Sequence, residues 1–200
     1  RAAPEYEVKI VNSAGRTCLP GEAGEFVVRS IYPNTLMAGY YGMPEKSLEA
    51  FRQLWFHTGD KGTRDANGYF YFLDRMKDAI RRQGENISSF EVERILNLHD
   101  DVAESAAVAV KAENGEDELK AVVVLNSSAV LSAEMLLNYC VDTMPYFMVP
   151  RYIEFTDDLP RTPTQKVRKI ELRDNGVTPE TWDREQAGLR VTRHGVEKIA

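Results

Sequence analysis

The chain has 200 residues, 43% of them hydrophobic and 28% charged, with 25 Lys and Arg against 31 Asp and Glu for a net charge of −6. That length suits one domain or two small ones, and that composition can bury a core, which excludes disordered, collagen-like and mucin-like chains. The acidic balance speaks against a general nucleic-acid binder, and no apolar run approaches the ~18 residues that span a bilayer. Cys18 and Cys140 stand far apart without C-x-x-C spacing, so the sequence predicts a reducing, cytoplasmic setting and no disulfide scaffold. His57, His99 and His194 have no metal-ligand spacing, and no metal site is expected. The opening Arg1-Ala2-Ala3, without a Met, leads to the expectation of a piece of a larger protein.

The first third reads as β structure. Glu7 to Val11 alternates polar and apolar residues before the turn residues Asn12 to Gly15, and Glu25 to Arg29 is a second strand after Pro20-Gly21. Pro44 opens a short helix through Phe51. Lys61 to Arg64 and Tyr69 to Phe72 flank Asp65-Ala66-Asn67-Gly68, which predicts a hairpin closed by Asn-Gly.

Beyond Leu73 the composition changes and an α+β pattern begins. Ser88 and Glu91 have capping-box spacing, and Val92, Ile95 and Leu96 repeat at helical spacing after them. Val102 to Val110 and Lys120 to Leu125 predict strands around a polar turn at Glu113 to Asp117. Ser132 caps a second helix with Ala133, Leu136, Leu137 and Cys140 on one face, and Tyr152 to Phe155 is a further strand. Arg161 to Lys169 reads as a polar, basic loop, followed by a short helix that stops near Asn175-Gly176. Residues 177–200 give no clear signal. The domain boundary is placed at residues 74–78.

Several generic sites are missing: no G-x-x-x-x-G-K-[ST] loop, no G-x-G-x-x-G, no G-x-S-x-G elbow and no H-E-x-x-H occurs. Three less generic segments remain. Trp55-Phe56-His57-Thr58-Gly59-Asp60 sets a carboxylate after a Gly at the end of an aromatic strand, and its two coplanar oxygens match the vicinal hydroxyls of a ribose; an Asp in a tight turn reads the same way. Asp74-Arg75-Met76-Lys77-Asp78 is either a solvated linker or a hinge with Arg75 near a nucleotide. Pro160 to Lys169, with two prolines and two threonines, reads as a stiff extended loop that brings Lys166 toward a developing anion, or else as a basic surface loop.

In this order and at these separations, over residues 5 to 172, the segments resemble the adenylate-forming superfamily of acyl-CoA synthetases, luciferases and peptide-synthetase adenylation domains. Gly24 to Arg29 with Gly39-Tyr40-Tyr41 looks like the family's strand and G-Y-Y segment, and Trp55 to Asp60 like its W-x-x-T-G-D motif. Asp74 to Asp78 with Gly84 looks like the hinge and following loop, and Leu159 to Lys169 like the P-[KR]-T-x-x-G-K motif. Within the superfamily, Asp74 to Asp78 and Gly84-Glu85-Asn86-Ile87-Ser88 look closest to carnitine/crotonobetaine-type acyl-CoA ligases. The fold this implies is α+β: residues 1–73 the β-rich end of a large N-terminal domain, 74–78 a hinge, 79–175 a small α+β C-terminal domain, and 176–200 a tail.

The resemblance also implies roles. Asp60 would hold the ribose of ATP and then of the acyl-AMP, with Arg75 beside it. Lys166 would be the catalytic Lys, which contacts the carboxylate and α-phosphate. Lys77 falls on the hinge position, and Gly84 in the loop that lines the pantetheine tunnel. Phe147 and Arg151 fall where some acyl-CoA ligases contact the CoA nucleotide. The implied activity is that of an AMP-forming acid–thiol ligase using ATP, Mg²⁺, coenzyme A and a carboxylic acid, with no nucleic acid and no membrane span involved. Two positions depart from the family pattern: Gln165 stands where a Gly usually precedes the catalytic Lys, and Asp74 where a Gly usually precedes Arg75. The Ser/Thr/Gly-rich phosphate loop, the adenine segment and the acyl pocket of the family do not occur in these residues, so the chain alone is expected to be inactive. A non-catalytic interaction module is the competing reading, and a peptide-synthetase adenylation domain the competing reading inside the family.

Overall fold

In the computed structural model, which describes residues 1–82, 84–112 and 115–199, the chain folds as two units divided between Lys77 and Asp78. The first is an antiparallel sheet of Tyr6–Val11 (β1), Gly24–Ser30 (β2), Phe51–Arg52 (β3), Trp55–Arg64 (β4) and Phe70–Arg75 (β5). The strand order is β1-β2-β4-β3, with β5 also on β4. Ile10, Val11 and Val27 form its buried centre. β4 is the spine: Phe56 pairs with Val28 and with Phe51, while Gly62 pairs with Gly24 and with Phe72. Gly62 has to lack a side chain, because a Cβ there would lie 2.1 Å from the Phe26 ring and 2.4 Å from the Tyr71 carbonyl. The helix Pro44–Ala50 (α1) begins at its Pro, whose missing N–H costs nothing at that position. Asp65 to Tyr69 closes β4 on β5, with Gly68 at φ +80°.

Two expectations are corrected here. Asp60 does not end a strand and does not sit in a tight turn; it lies inside β4. Gly59 at φ +73° and a register shift between Lys61 and Gly62 kink that strand without stopping it. Asp74 and Arg75 are the end of β5 rather than a solvated linker, and Asp74 is buried.

The second unit opens with a small hairpin, Ile80–Arg82 (β6) and Glu85–Ile87 (β7). Ser89–Leu96 (α2), Val102–Lys111 (β8), Asp117–Leu125 (β9), Ala133–Thr143 (α3), a 3-10 turn at Tyr146–Met148, Tyr152–Phe155 (β10) and Lys169–Asn175 (α4) follow. Both long helices start where hydroxyls cap them: Ser88 Oγ accepts from Glu91 N at 3.3 Å, and Ser132 Oγ from Met135 N at 3.2 Å. The sheet has the order β11-β10-β9-β8, its first strand being Trp182–Asp183 (β11); β9 and β10 run parallel, the other pairs antiparallel. Strand alternation sends Ala107, Leu119, Ala121 and Val123 to one face, under Val92, Leu96, Leu136, Leu137 and Cys140 of the helices. Ala106, Val108, Val110 and Val122 go to the other, with Tyr152, Leu159 and Leu172 of α4. Both faces are therefore dry. Of the polar turn expected at Glu113 to Asp117, Glu113 and Asn114 lie outside the described residues.

Lys120 and the Ala107 amide, both buried in this unit, are paired, whereas Arg82 Nε, Glu118 Oε2 and Arg184 Nε make no aligned hydrogen bond among the described residues. Lys120 Nζ, on an almost fully enclosed side chain, lies 2.9 Å from Glu154 Oε2 and donates to Gly176 O at 2.6 Å. Burial opposes the charge on Glu154, but hydrogen bonds from Thr178, Thr181 and Lys120 outweigh it and hold the carboxyl below its usual range. At the free edge of β8, Ala107 N donates to Glu93 Oε1 at 2.7 Å, and Lys169 Nζ holds the same oxygen at 2.7 Å. The stretch after Asn175, for which the sequence predicts no element, contributes β11 and a hairpin of Leu189–Thr192 (β12) and Gly195–Lys198 (β13), whose Leu189 and Val191 join the core.

No helix among the described residues is long and apolar enough to cross a membrane. Both cysteines are free and buried. Burial pushes the Cys140 thiol up to about 12, and burial followed by the nearby Glu22 raises that of Cys18. Since the thiolate is the nucleophile, neither should react with an aromatic disulfide reagent at neutral pH until the chain is denatured, when both should. A fast-reacting thiol in the native chain would contradict this packing.

Candidate functional site

In the first unit the kinked strand fixes one carboxylate. Asp60 and Arg75 are direct cross-strand partners of β4 and β5, and Arg75 Nε lies 3.3 Å from Asp60 Oδ1. That oxygen is buried and accepts no hydrogen bond in this arrangement, since the guanidinium is near enough to attract it but not aligned to donate. The Arg75 side chain is 63% exposed, so it can swing away and open the oxygen to a hydroxyl. Around the kink, Asp60 N donates to Thr58 Oγ1 at 3.0 Å, and Thr58 Oγ1 donates to Phe26 O at 3.0 Å. Met76 N donates to Gly59 O at 2.8 Å.

The sequence reading missed the residue that braces this kink. Glu25 Oε1 accepts from Gly59 N at 3.1 Å, and its Oε2 lies 2.7 Å from His57 Nδ1. A Glu near the start of an alternating strand carries no local sign of this task, because its partners lie more than thirty positions away. Lys77, the residue placed at the hinge, is exposed and is the last residue of the first unit.

In the second unit Lys166 is exposed, but its loop is not extended as expected. Thr162 N donates to Lys166 O at 2.8 Å, Gln165 N to Thr162 O at 2.9 Å, and Lys166 N to Thr162 Oγ1 at 3.1 Å. Arg161 and Val167 pair as a bridge beneath, and Arg161 is ion-paired with Glu104 of β8. The two prolines and two threonines therefore close a tight turn. Gln165 sits in it at φ +64°, a conformation that costs an L side chain about 1–2 kcal/mol and a Gly almost nothing. Gln165→Gly should raise the stability of the second unit by up to about 1 kcal/mol, read as a shifted denaturation midpoint. An unchanged or lowered midpoint would mean that the Gln side chain compensates.

Gly84, at φ +85°, is exposed in the turn between β6 and β7. Phe147 is half-buried in the 3-10 turn, stacked edge-on against Tyr146 with ring centroids 5.7 Å apart. Arg151 is committed elsewhere. Its Nε and Nη2 reach the two oxygens of Asp183 at 3.2 and 3.0 Å, and its Nη1 lies 3.1 Å from Glu185 Oε2. With its fork filled by two carboxylates of the tail, Arg151 is a structural anchor for β11, which runs against its placement at a CoA nucleotide. Among the described residues no three His, Cys, Asp or Glu side chains gather into a metal cage, so the implied Mg²⁺ finds no ligand set among them.

Residues 91–166 match the AMP-binding enzyme C-terminal domain family. The chain is 37% identical over 169 residues to a crotonobetaine/carnitine–CoA ligase of Salmonella arizonae, covering 84% of this chain and 33% of that protein. Among solved structures, ATP-bound MatB from Rhodopseudomonas palustris superposes with a TM-score of 0.78 at 31% identity, over 87% of this chain and 34% of that one. The o-succinylbenzoate CoA synthetase of Bacillus subtilis, in complex with its acyl-adenylate intermediate, superposes with a TM-score of 0.76 at 32% identity, over 88% of this chain and 35% of that one. The chain thus spans about a third of the length of the curated relatives it matches.

Proposed function

Because the chain belongs to the adenylate-forming, AMP-binding enzymes, we propose that it supplies the ribose-binding strand pair, the hinge and the catalytic-lysine domain of an AMP-forming acid–thiol ligase acting with ATP and coenzyme A. The observation that carries this reading is the buried, unpartnered Oδ1 of Asp60 beside a displaceable Arg75. An acceptor of this kind is costly unless a ligand fills it. A ribose 2′- or 3′-hydroxyl is a donor of the right size and polarity.

Two steps make up the reaction. A carboxylate oxygen attacks the α-phosphorus of ATP, the bond to the bridging oxygen breaks, and pyrophosphate leaves. A thiolate sulfur then attacks the acyl carbon, the carbon–oxygen bond to AMP breaks, and a thioester remains. Charge accumulates on the α-phosphate oxygens in the first transition state, where the Lys166 ammonium stabilises it. In the second step a thiol needs the space that Lys166 occupied. Rotation about Lys77 withdraws the lysine turn and brings up the Gly84 turn, whose missing side chain leaves room for a narrow pantetheine arm.

One cation and one ribose contact do not hold a triphosphate, so the 200-residue chain alone is expected to give no pyrophosphate exchange. A chimera tests the proposal: this chain replacing the matching third of the Salmonella arizonae ligase, with the parent ligase as positive control. The chimera should exchange pyrophosphate with crotonobetaine or carnitine present and form the CoA thioester. A folded chimera without exchange, or exchange by the chain alone, overturns the reading.

A further inference from the structure

The 3-10 turn Tyr146–Met148 ends, like any helical turn, with carbonyls that its own backbone does not satisfy. Two guanidinium groups take them. Arg82 Nη1 donates to Phe147 O at 3.0 Å and to Val149 O at 3.2 Å, and Arg184 Nη1 donates to Val149 O and Pro150 O, both at 3.1 Å. Two cations this close repel, and Glu118 Oε2, 2.7 Å from Arg82 Nε, balances them as a charge without an aligned hydrogen bond. The Arg82 and Glu118 side chains are only 7% and 9% exposed. Burial, then Arg82, draws Arg184 down to about 10, which still leaves it charged at neutral pH. The placement of Arg82 gives this cluster its interest. It is the last residue of β6, two positions before Gly84, and β7 packs beside the 3-10 turn. One guanidinium therefore joins the turn end of the Gly84 hairpin, where Arg82 pairs with Glu85, to the carbonyls on either side of Met148.

We propose that Arg82 is a positioning residue for the thiol-transfer step: it sets the Gly84 turn against the Phe147 turn and so shapes the receptor for the pantetheine thiol. This rests on the ligase reading above. A lysine at position 82 would neutralise Glu118 but, as a single point of charge on a flexible stem, would not also reach both carbonyls from one rigid group. Asp60 and the Lys166 turn make none of these contacts, so the adenylation step does not depend on the fork.

The test uses two variants. Arg82→Met with Glu118→Met removes the fork and its counter-charge together, avoiding a lone buried ion; Arg82→Lys keeps the ion pair and loses the fork. In the chimera, both should raise the KM for CoA at least about tenfold while pyrophosphate exchange stays within about twofold of the parent, the scale expected for a receptor displaced by a fraction of an ångström. An unchanged KM for CoA in a folded variant overturns the proposal. So does an equal loss of both half-reactions, which marks a purely structural role. If the parent chimera gives no exchange, it is the ligase reading that fails. Hydrogen exchange on the 200-residue chain then tests the geometry by itself: amides of residues 85–87 and 148–149 should exchange about tenfold faster in either variant while those of 119–123 keep their protection, and identical exchange overturns the role of Arg82.

Discussion

Replacing Lys166 by Ala is expected to lower adenylation by at least about 10²-fold in the chimera, while preformed acyl-adenylate still reacts with CoA. The magnitude is that of removing one preorganised charge from a phosphoryl transition state. The turn that carries Lys166 is closed by its own backbone bonds and moored by Arg161 to Glu104. The substitution therefore removes the ammonium without releasing the loop. Lys77→Pro should do the reverse, since a proline fixes φ at the proposed pivot and blocks the change of arrangement that thiol transfer requires. Single-turnover assays of each half-reaction on each variant are the measurement. If both variants lose both halves equally, the exchange of Lys166 for the Gly84 turn is wrong.

The second large effect belongs to Asp60. Asp60→Ala should weaken binding of a non-hydrolysable acyl-adenylate mimic to the chimera by about 2–4 kcal/mol, or roughly 30- to 1,000-fold, because both ribose hydroxyls lose a charged acceptor in an enclosed site. The ion pair with Arg75 adds little to this: Arg75 is largely solvated, and such pairs are worth at most about 1 kcal/mol. Arg75→Ala should accordingly cost much less than Asp60→Ala. Isothermal titration distinguishes the two, and an Asp60→Ala chimera that binds the mimic as tightly as its parent would refute the ribose assignment.

Elements announced by adjacent residues were legible. The two hydroxyl caps at Ser88 and Ser132, the alternation in β1 and β2 and the Asn67-Gly68 turn each place their chemistry within a few positions of one another. The β6–β7 hairpin was not, because three-residue strands are too short to show a period. The tail hairpin did leave a trace: Leu189-Arg190-Val191-Thr192 alternates and His194-Gly195 supplies a turn, but nothing in it indicates the core it joins. The same limit applies to the candidate site. The residue types of Asp60, Arg75 and Lys166 point to their chemistry, whereas the capture of Arg151 by Asp183 and the bracing of Gly59 by Glu25 join positions more than thirty residues apart. Two prolines and two threonines suggest a stiff, extended loop under Lys166, whereas the hydroxyl of Thr162 closes it into a tight turn.

Glu93 has a bearing on colloidal behaviour as well as on fold. β8 is ten residues long and among the described residues pairs with β9 alone, so its outer amides resemble a template on which a further strand could add. The Glu93 carboxylate occupies the amide of Ala107, and Lys169 tethers that carboxylate in place. A substitution at Glu93 would leave the Ala107 amide, in the middle of this edge, without its acceptor and Lys169 without its counter-charge. The damage would therefore register as concentration-dependent aggregation together with a loss of thermal stability, since a buried N–H is left without its acceptor, which makes this carboxylate a solubility determinant hidden inside a structural ion pair.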